Sequence, residues 1–292
     1  MTTEATTSLG GAVAPLTLVT EDGFPLAATR FRALAPMRGV VVVAPAVGTR
    51  MAGYAPLAEF LASRGFEVLT WDWRGIGDSR HEAGPMDRRL TMRACGECDL
   101  TAAIGWALRR GDGVPVSVLG HAFGGHALGL AANASSIARA VLVGASEPWI
   151  GHWPWPARAP WRLVCHVAVP LLASGLDRFP ASWFGLDEDL PAGVAREWAR
   201  WARRRGSFAS WEGHARLTIP MLAYSFSDDL RAPRAAVDAL LVRYASATTT
   251  HRHCTPDALG RTEVGHFGFF QPGVAPTLWD EVATFLGEGN AP

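Results

Sequence analysis

From Leu16 the chain alternates apolar segments with turn signals, Glu21-Asp22-Gly23 and Pro36 among them, which predicts an antiparallel opening of short strands. The pattern then changes. Val40-Val41-Val42-Val43-Ala44-Pro45 is a β-branched run without polar alternation, as expected of a parallel-sheet strand covered on both faces. Leu57, Phe60 and Leu61 recur at helical spacing over 54–64, Gly65 supplies a stop, and 66–71 reads as the next strand. The same rhythm predicts a helix over 100–110, a strand over 114–119, a helix over 123–132 and a strand over 140–143. It resumes with a strand over 219–226, a helix near 235–244 and a closing helix over 277–286. Strands alternating with helices predict an α/β architecture around a doubly wound, mostly parallel sheet.

Between Ser146 and Gly213 that rhythm fails. Eight of the twelve tryptophans fall there (Trp149, Trp153, Trp155, Trp161, Trp183, Trp198, Trp201 and Trp211), among many prolines. The reading is a helical cap over 146–213 inserted into a core made of 1–145 and 214–292. Within it, Trp198 and Trp201 lie among Arg196, Arg200, Arg203 and Arg204, the pattern of an amphipathic helix with a solvated basic face. The tryptophans fit either a subdomain folded on itself or a lid lining an apolar acyl pocket.

The chemistry concentrates at Gly120-His121-Ala122-Phe123-Gly124-Gly125, where a strand runs straight into a helix. It reads as G-x-S-x-G with alanine in place of serine. Such a turn strains its central residue and needs small flanking residues, because a Cβ there would strike the adjacent strand and helix. Three further segments support it. Val43 to Gly48 follows an early strand, where a second oxyanion donor is placed. Ser225 to Pro233 follows a late strand and offers Asp228 and Asp229. Val264-Gly265-His266-Phe267-Gly268 sets a histidine in a loop before the last helix. Nucleophile position, acid, base is the chain order of one serine-hydrolase architecture.

With Trp71-Asp72-Trp73-Arg74-Gly75-Ile76-Gly77-Asp78-Ser79, which is similar to a D-x-R-G-x-G-x-S turn, these segments resemble the α/β-hydrolase superfamily over essentially the whole chain. The group suggested is the predicted esterases of the serine aminopeptidase-like kind, which Pro45-Ala46 resembles. The resemblance implies a doubly wound fold with a cap and a Ser-Asp-His triad without metal or organic cofactor. It places Ala122 at the nucleophile, Asp229 at the acid, His266 at the base, and Val47 and Phe123 at the oxyanion N–H donors. Asp228 and Glu147 compete for the acid, with Asp229 favoured because its spacing to Pro233 resembles the superfamily's D-x-x-x-P pattern. His121 is expected to pack under the turn and His126 to pack in the following helix.

The implied activity is serine-type hydrolysis of an ester, lactone or thioester of an apolar substrate, with Ala122 disabling it. Two explanations of the alanine stand: an engineered inactive copy of a protein that naturally carries serine, favoured because Asp229, His266 and both oxyanion loops stand with no nucleophile to serve, or a native pseudoenzyme that binds an apolar ligand without turnover. A dehalogenase fits worse, since it would need a carboxylate at the elbow. The formal net charge of zero leaves no surplus to hold nucleic acid, and the apolar runs are shorter than the roughly 18 residues of a membrane span. Without a basic, apolar leader, a cytoplasmic protein is expected. Cys95 and Cys98 lack the second pair of ligands that zinc would use, so Cys95, Cys98, Cys165 and Cys254 are read as free thiols. A homo-oligomer is left open.

Overall fold

The computed structural model describes residues 12–80, 89–111, 113–206, 212–274 and 277–288, so Trp211 and part of 146–213 lie outside the described residues. The strands are β1 (Val13–Val19), β2 (Pro25–Phe31), β3 (Gly39–Ala44), β4 (Phe66–Trp71), β5 (Val116–His121), β6 (Arg139–Val143), the short pair β7 (Arg178–Phe179) and β8 (Leu190–Pro191), β9 (Pro220–Phe226) and β10 (Thr248–Cys254). The helices are α1 (Ala55–Ser63), α2 (Met92–Ala94), α3 (Thr101–Arg110), α4 (Phe123–Ala127), α5 (Arg158–Leu163), α6 (Val169–Gly175), α7 (Ala192–Arg203), α8 (Glu212–Arg216), α9 (Arg234–Leu241) and α10 (Thr277–Gly287).

Eight strands form one sheet in the order β1-β2-β4-β3-β5-β6-β9-β10. β1 and β2 pair antiparallel, β2 meets β4 antiparallel, and every later pairing is parallel. The valine run explains itself in β3: Val40 and Val42 enter the core on one face of the sheet, Val41 and Val43 the core on the other. A strand with two buried faces favours apolar residues at successive positions, as here. β6 repeats this with Ala140 and Leu142 against Val141 and Val143.

Two elements differ from the sequence reading. The helix expected over 123–132 ends at Ala127 and passes into a single 3-10 turn over Leu128–Leu130. The reason is crowding: a Cβ at Gly129 would fall inside the His214 ring, and one at Gly213 would meet the Gly129 carbonyl, so α8 crosses where the helix would continue. β10 has no signal in the hydrophobic pattern, because this edge strand carries Thr248, Thr249, Thr250, His251, Arg252 and His253, with four of its seven positions exposed.

The turn similar to D-x-R-G-x-G-x-S is a brace. Asp72 accepts the N–H groups of Met51 and Asp78 at 2.6 and 2.9 Å, and Ser79 Oγ bonds the Asp72 carbonyl while accepting the Ala27 N–H. Arg74, fully buried, pairs with the equally buried Asp99 at 2.6 Å and with Asp22 at 2.8 Å. Burial pushes the Asp99 carboxyl up to about 6 against the pull of Arg74. This ties the β4 exit to the helix segment preceding α3.

Between β6 and β9 the chain leaves the sheet. α5 continues through a π-helical turn into α6 and packs against α7, with the Trp161 and Trp198 rings 5.9 Å apart. The expected two-faced helix is α7: Val194, Ala195, Ala199 and Trp201 are buried, whereas Arg200 and Arg203 are exposed. The base of this insertion is fixed by Glu147, whose carboxylate takes bonds from His152 and Arg243. No helix among the described residues is long and apolar enough to cross a membrane.

Arg74→Met leaves Asp99 buried without its cation and is expected to lower unfolding free energy by about 3–5 kcal/mol. The double variant Arg74→Met/Asp99→Leu should recover most of that, both read as urea midpoints.

Candidate active site

β5 ends at His121 and α4 begins at Phe123, so Ala122 turns the chain alone. Its backbone sits at φ 47 and ψ −110, and it is the only non-glycine with positive φ among the described residues. An L-residue reaches that region only when its surroundings force it. The forcing is visible: the Ala122 N–H bonds Val143 O on β6 at 2.9 Å, and its carbonyl accepts His126 N–H at 3.3 Å. The flanking glycines permit the approach. A Cβ at Gly120 would strike the Gly125 backbone, and one at Gly124 would strike the Ala44 carbonyl on β3.

Asp229 and His266 come together from opposite ends of the last third of the chain. Asp229 follows β9, is 3% exposed, and its Oδ2 accepts from His266 Nδ1 at 2.8 Å. Its Oδ1 takes the Arg231 and Ala232 N–H groups at 2.8 and 3.0 Å, which fixes the carboxylate plane. With Nδ1–H given to Asp229, a neutral His266 presents Nε2 as a lone pair.

The competing acids are engaged elsewhere. Asp228 Oδ2 receives the N–H groups of Val264 and Gly265 at 2.8 and 2.9 Å, so it pins the loop that carries His266. Glu147 bonds His152, Arg243 and the Gly206 N–H. Its burial raises the carboxyl's pKa, and the bonds from His152 and Arg243 more than offset this and hold it below the usual range. Of the two adjacent aspartates, Asp229 therefore holds the imidazole ring and Asp228 the backbone that carries it.

A hydrogen-bond relay joins three segments at the site. Ala46 N–H donates to Tyr54 Oη at 2.8 Å, Tyr54 O–H lies 2.8 Å from His121 Nδ1, and His121 Nε2 lies 3.0 Å from the His266 carbonyl. A carbonyl only accepts, so His121 carries its proton on Nε2 and takes the Tyr54 hydroxyl proton at Nδ1. Burial, and then His266 nearby, hold the His121 pKa well below the ordinary histidine value, consistent with this neutral form. The early loop, the elbow and the histidine loop are therefore one unit. In sequence His121 reads only as packing, and nothing local marks Tyr54 as its partner.

Ala122, Phe123, Val47 and His266 line one cavity between the sheet and the insertion. Its walls are apolar, from Trp153, Trp161, Trp198 and Trp201 of the insertion to Phe179 and Phe184. The N–H groups of Val47 and Phe123 make no hydrogen bond among the described residues. Two other lining groups could attack a carbonyl, Ser146 and Cys165, but neither is hydrogen-bonded to His266, and burial pushes the Cys165 thiol up to about 12. An imidazole held by a carboxylate thus lines a pocket whose elbow offers a methyl group.

Residues 35–175 match the hydrolase family described as "Serine aminopeptidase, S33". No curated protein sequence matches the chain. Among solved structures, a monoglyceride lipase from Saccharomyces cerevisiae, a soluble variant in complex with a substrate analog, is similar at TM-score 0.70 and 15% identity, covering 96% of each chain. A highly thermostable carboxyl esterase from Bacillus coagulans is similar at TM-score 0.69 and 12% identity, over 97% of this chain and all of that one. A Pseudomonas aeruginosa hydrolase gives TM-score 0.60 and 21% identity, over 94% of this chain and 98% of that one. The fold is that of the α/β-hydrolases.

Ala122→Gly relieves the backbone and is expected to raise unfolding free energy by about 1 kcal/mol, read as a shifted urea midpoint. His121, like His126, stays neutral in the fold at a pH where the unfolded chain takes up a proton. Its contribution is present above about pH 6.5 and lost below it, by about 1 kcal/mol per histidine between pH 6.5 and 5.5. His121→Gln should flatten that loss by about half; an unchanged pH profile would contradict the neutral assignment.

Proposed function

We propose that this is the site of a serine-type hydrolase for carboxylic ester-type bonds, whether ester, lactone or thioester, of an apolar substrate, with its nucleophile position filled by Ala122. The observation that carries the reading is the His266–Asp229 pair at 2.8 Å beside a strained elbow that has no nucleophile on it. Evolution or engineering maintains such strain for a side chain that must be presented to a ligand. The segment 146–213 acts as the cap that closes an apolar acyl pocket over the core of 1–145 and 214–292.

With serine at 122 the hydroxyl attacks the substrate carbonyl while His266 Nε2 takes its proton. Asp229 stabilises the imidazolium formed, and the Val47 and Phe123 N–H groups receive the oxyanion. His266 then returns the proton to the leaving group, and a water deacylates the enzyme by the same route. With alanine the ligand is bound but no acyl-enzyme can form. Loss of a triad nucleophile costs on the order of 10⁶ in kcat.

Ala122→Ser is therefore expected to gain fluorophosphonate labelling and p-nitrophenyl ester hydrolysis at least about a thousand-fold above the parent chain. Adding Asp229→Asn should take back about 10⁴ of kcat. If Ala122→Ser neither labels nor hydrolyses, the triad reading fails and ligand binding without turnover takes its place. The residue encoded at position 122 of the source gene separates an inactive copy from a protein that carries alanine natively.

A further inference from the structure

Among the described residues that line the cavity, Arg231 is the only one with a permanent charge. It stands two positions after Asp229 and is half-buried, its guanidinium carbon 5.7 Å from the Phe267 ring centroid. No carboxylate among the described residues forms an ion pair with it. Its Nη2 donates to the carbonyls of Phe184 and Gly185 at 3.0 Å each. A guanidinium has five N–H donors, so Nη1 and Nε remain with three that meet no protein acceptor among the described residues. Burial lowers its pKa, while Asp229 and Asp187 act in the opposite direction.

A cation withdrawn from water into an apolar site is costly unless something pairs with it. The two carbonyl bonds tie the insertion to the β9 loop, but they use one nitrogen and leave the rest of the fork over. Asp229 and Asp187 act on Arg231 only without an ion pair, and among the described residues the cavity wall holds no aspartate or glutamate, so a direct anionic partner is a place the fold leaves for a ligand. We infer that Arg231 is an anion anchor inside the apolar pocket, and that the ligand is an acyl compound with an apolar body bearing a carboxylate separate from its ester-type carbonyl. A monoanion is the match because Arg231 lines the cavity with no second fixed cation beside it among the described residues, and the planar fork fits a carboxylate in two-point fashion. This rests on the acyl-pocket reading above and adds a charge to one end of the substrate.

Because the parent chain cannot form an acyl-enzyme, it holds intact esters, and binding can be measured on it directly. The probes are monomethyl and dimethyl esters of straight-chain dicarboxylic acids of increasing length, titrated calorimetrically. At the best chain length the monomethyl ester is expected to bind roughly ten- to hundred-fold tighter than the dimethyl ester. Arg231→Gln should erase that ratio and Arg231→Lys retain part of it. The dimethyl ester is the internal control: if Arg231 only staples the insertion, its loss weakens both ligands and leaves the ratio intact, which overturns the inference. A ratio that survives Arg231→Gln because the carboxylate sits at His266 overturns it too, as does equal binding of the two esters by the parent, which leaves the acyl pocket standing. If neither ester binds at any length, the acyl-pocket reading itself fails.

Discussion

The elbow, and the cavity wall built on it, hang on the conformation of one residue. Ala122 occupies a backbone region that its own Cβ disfavours, and it stays there because β3, β6 and α4 close in from three directions. Strain of this kind costs on the order of 1–3 kcal/mol and persists only where the surroundings over-determine it. The glycines at 120 and 124 exist for that approach. Once the turn is set, the position of residue 122 above the strand ends follows, and so does the wall on which the cavity is built.

The remaining groups are placed by connections that do not involve residue 122. Asp228 and Asp229 fix the histidine loop and the histidine ring separately, which makes His266 rigid in backbone and in tautomer. The chain from Ala46 through Tyr54 and His121 to the His266 carbonyl locks the early loop to the late one beneath the elbow. Because none of these links uses a side-chain oxygen at 122, the architecture stands with an alanine there. A paired aspartate and histidine and an elbow without a reactive side chain are therefore compatible in one fold.

The insertion sets the chemistry of much of the cavity wall. Its inner face supplies tryptophans and phenylalanines, and its outer face keeps Arg200 and Arg203 of α7 in water. Glu147 fastens its base, and Arg231 reaches from the β9 loop to the carbonyls of Phe184 and Gly185. Arg231 thus sits where the sheet and the insertion meet, at the wall of the cavity.

Much of the fold was legible along the chain, because burial imposes a local pattern: Val40 to Val43 had to be a strand covered on both faces, and 66–71 and 277–286 showed equally regular signals. The elbow was legible for the same reason, since a steric demand on glycine writes itself into adjacent positions. Tertiary structure alone decided the rest. β10 carries polar residues because an edge strand needs no apolar face, and the helix after the elbow stops early because α8, far along the chain, occupies its path. Asp228 and Asp229 differ in sequence only by their spacing to Pro233, and the fold determines which oxygen meets an imidazole and which meets backbone N–H groups. The Tyr54–His121 link and the lone charge of Arg231 in an apolar cavity are likewise relations between distant residues, which exist only once the sheet has brought them within hydrogen-bonding range.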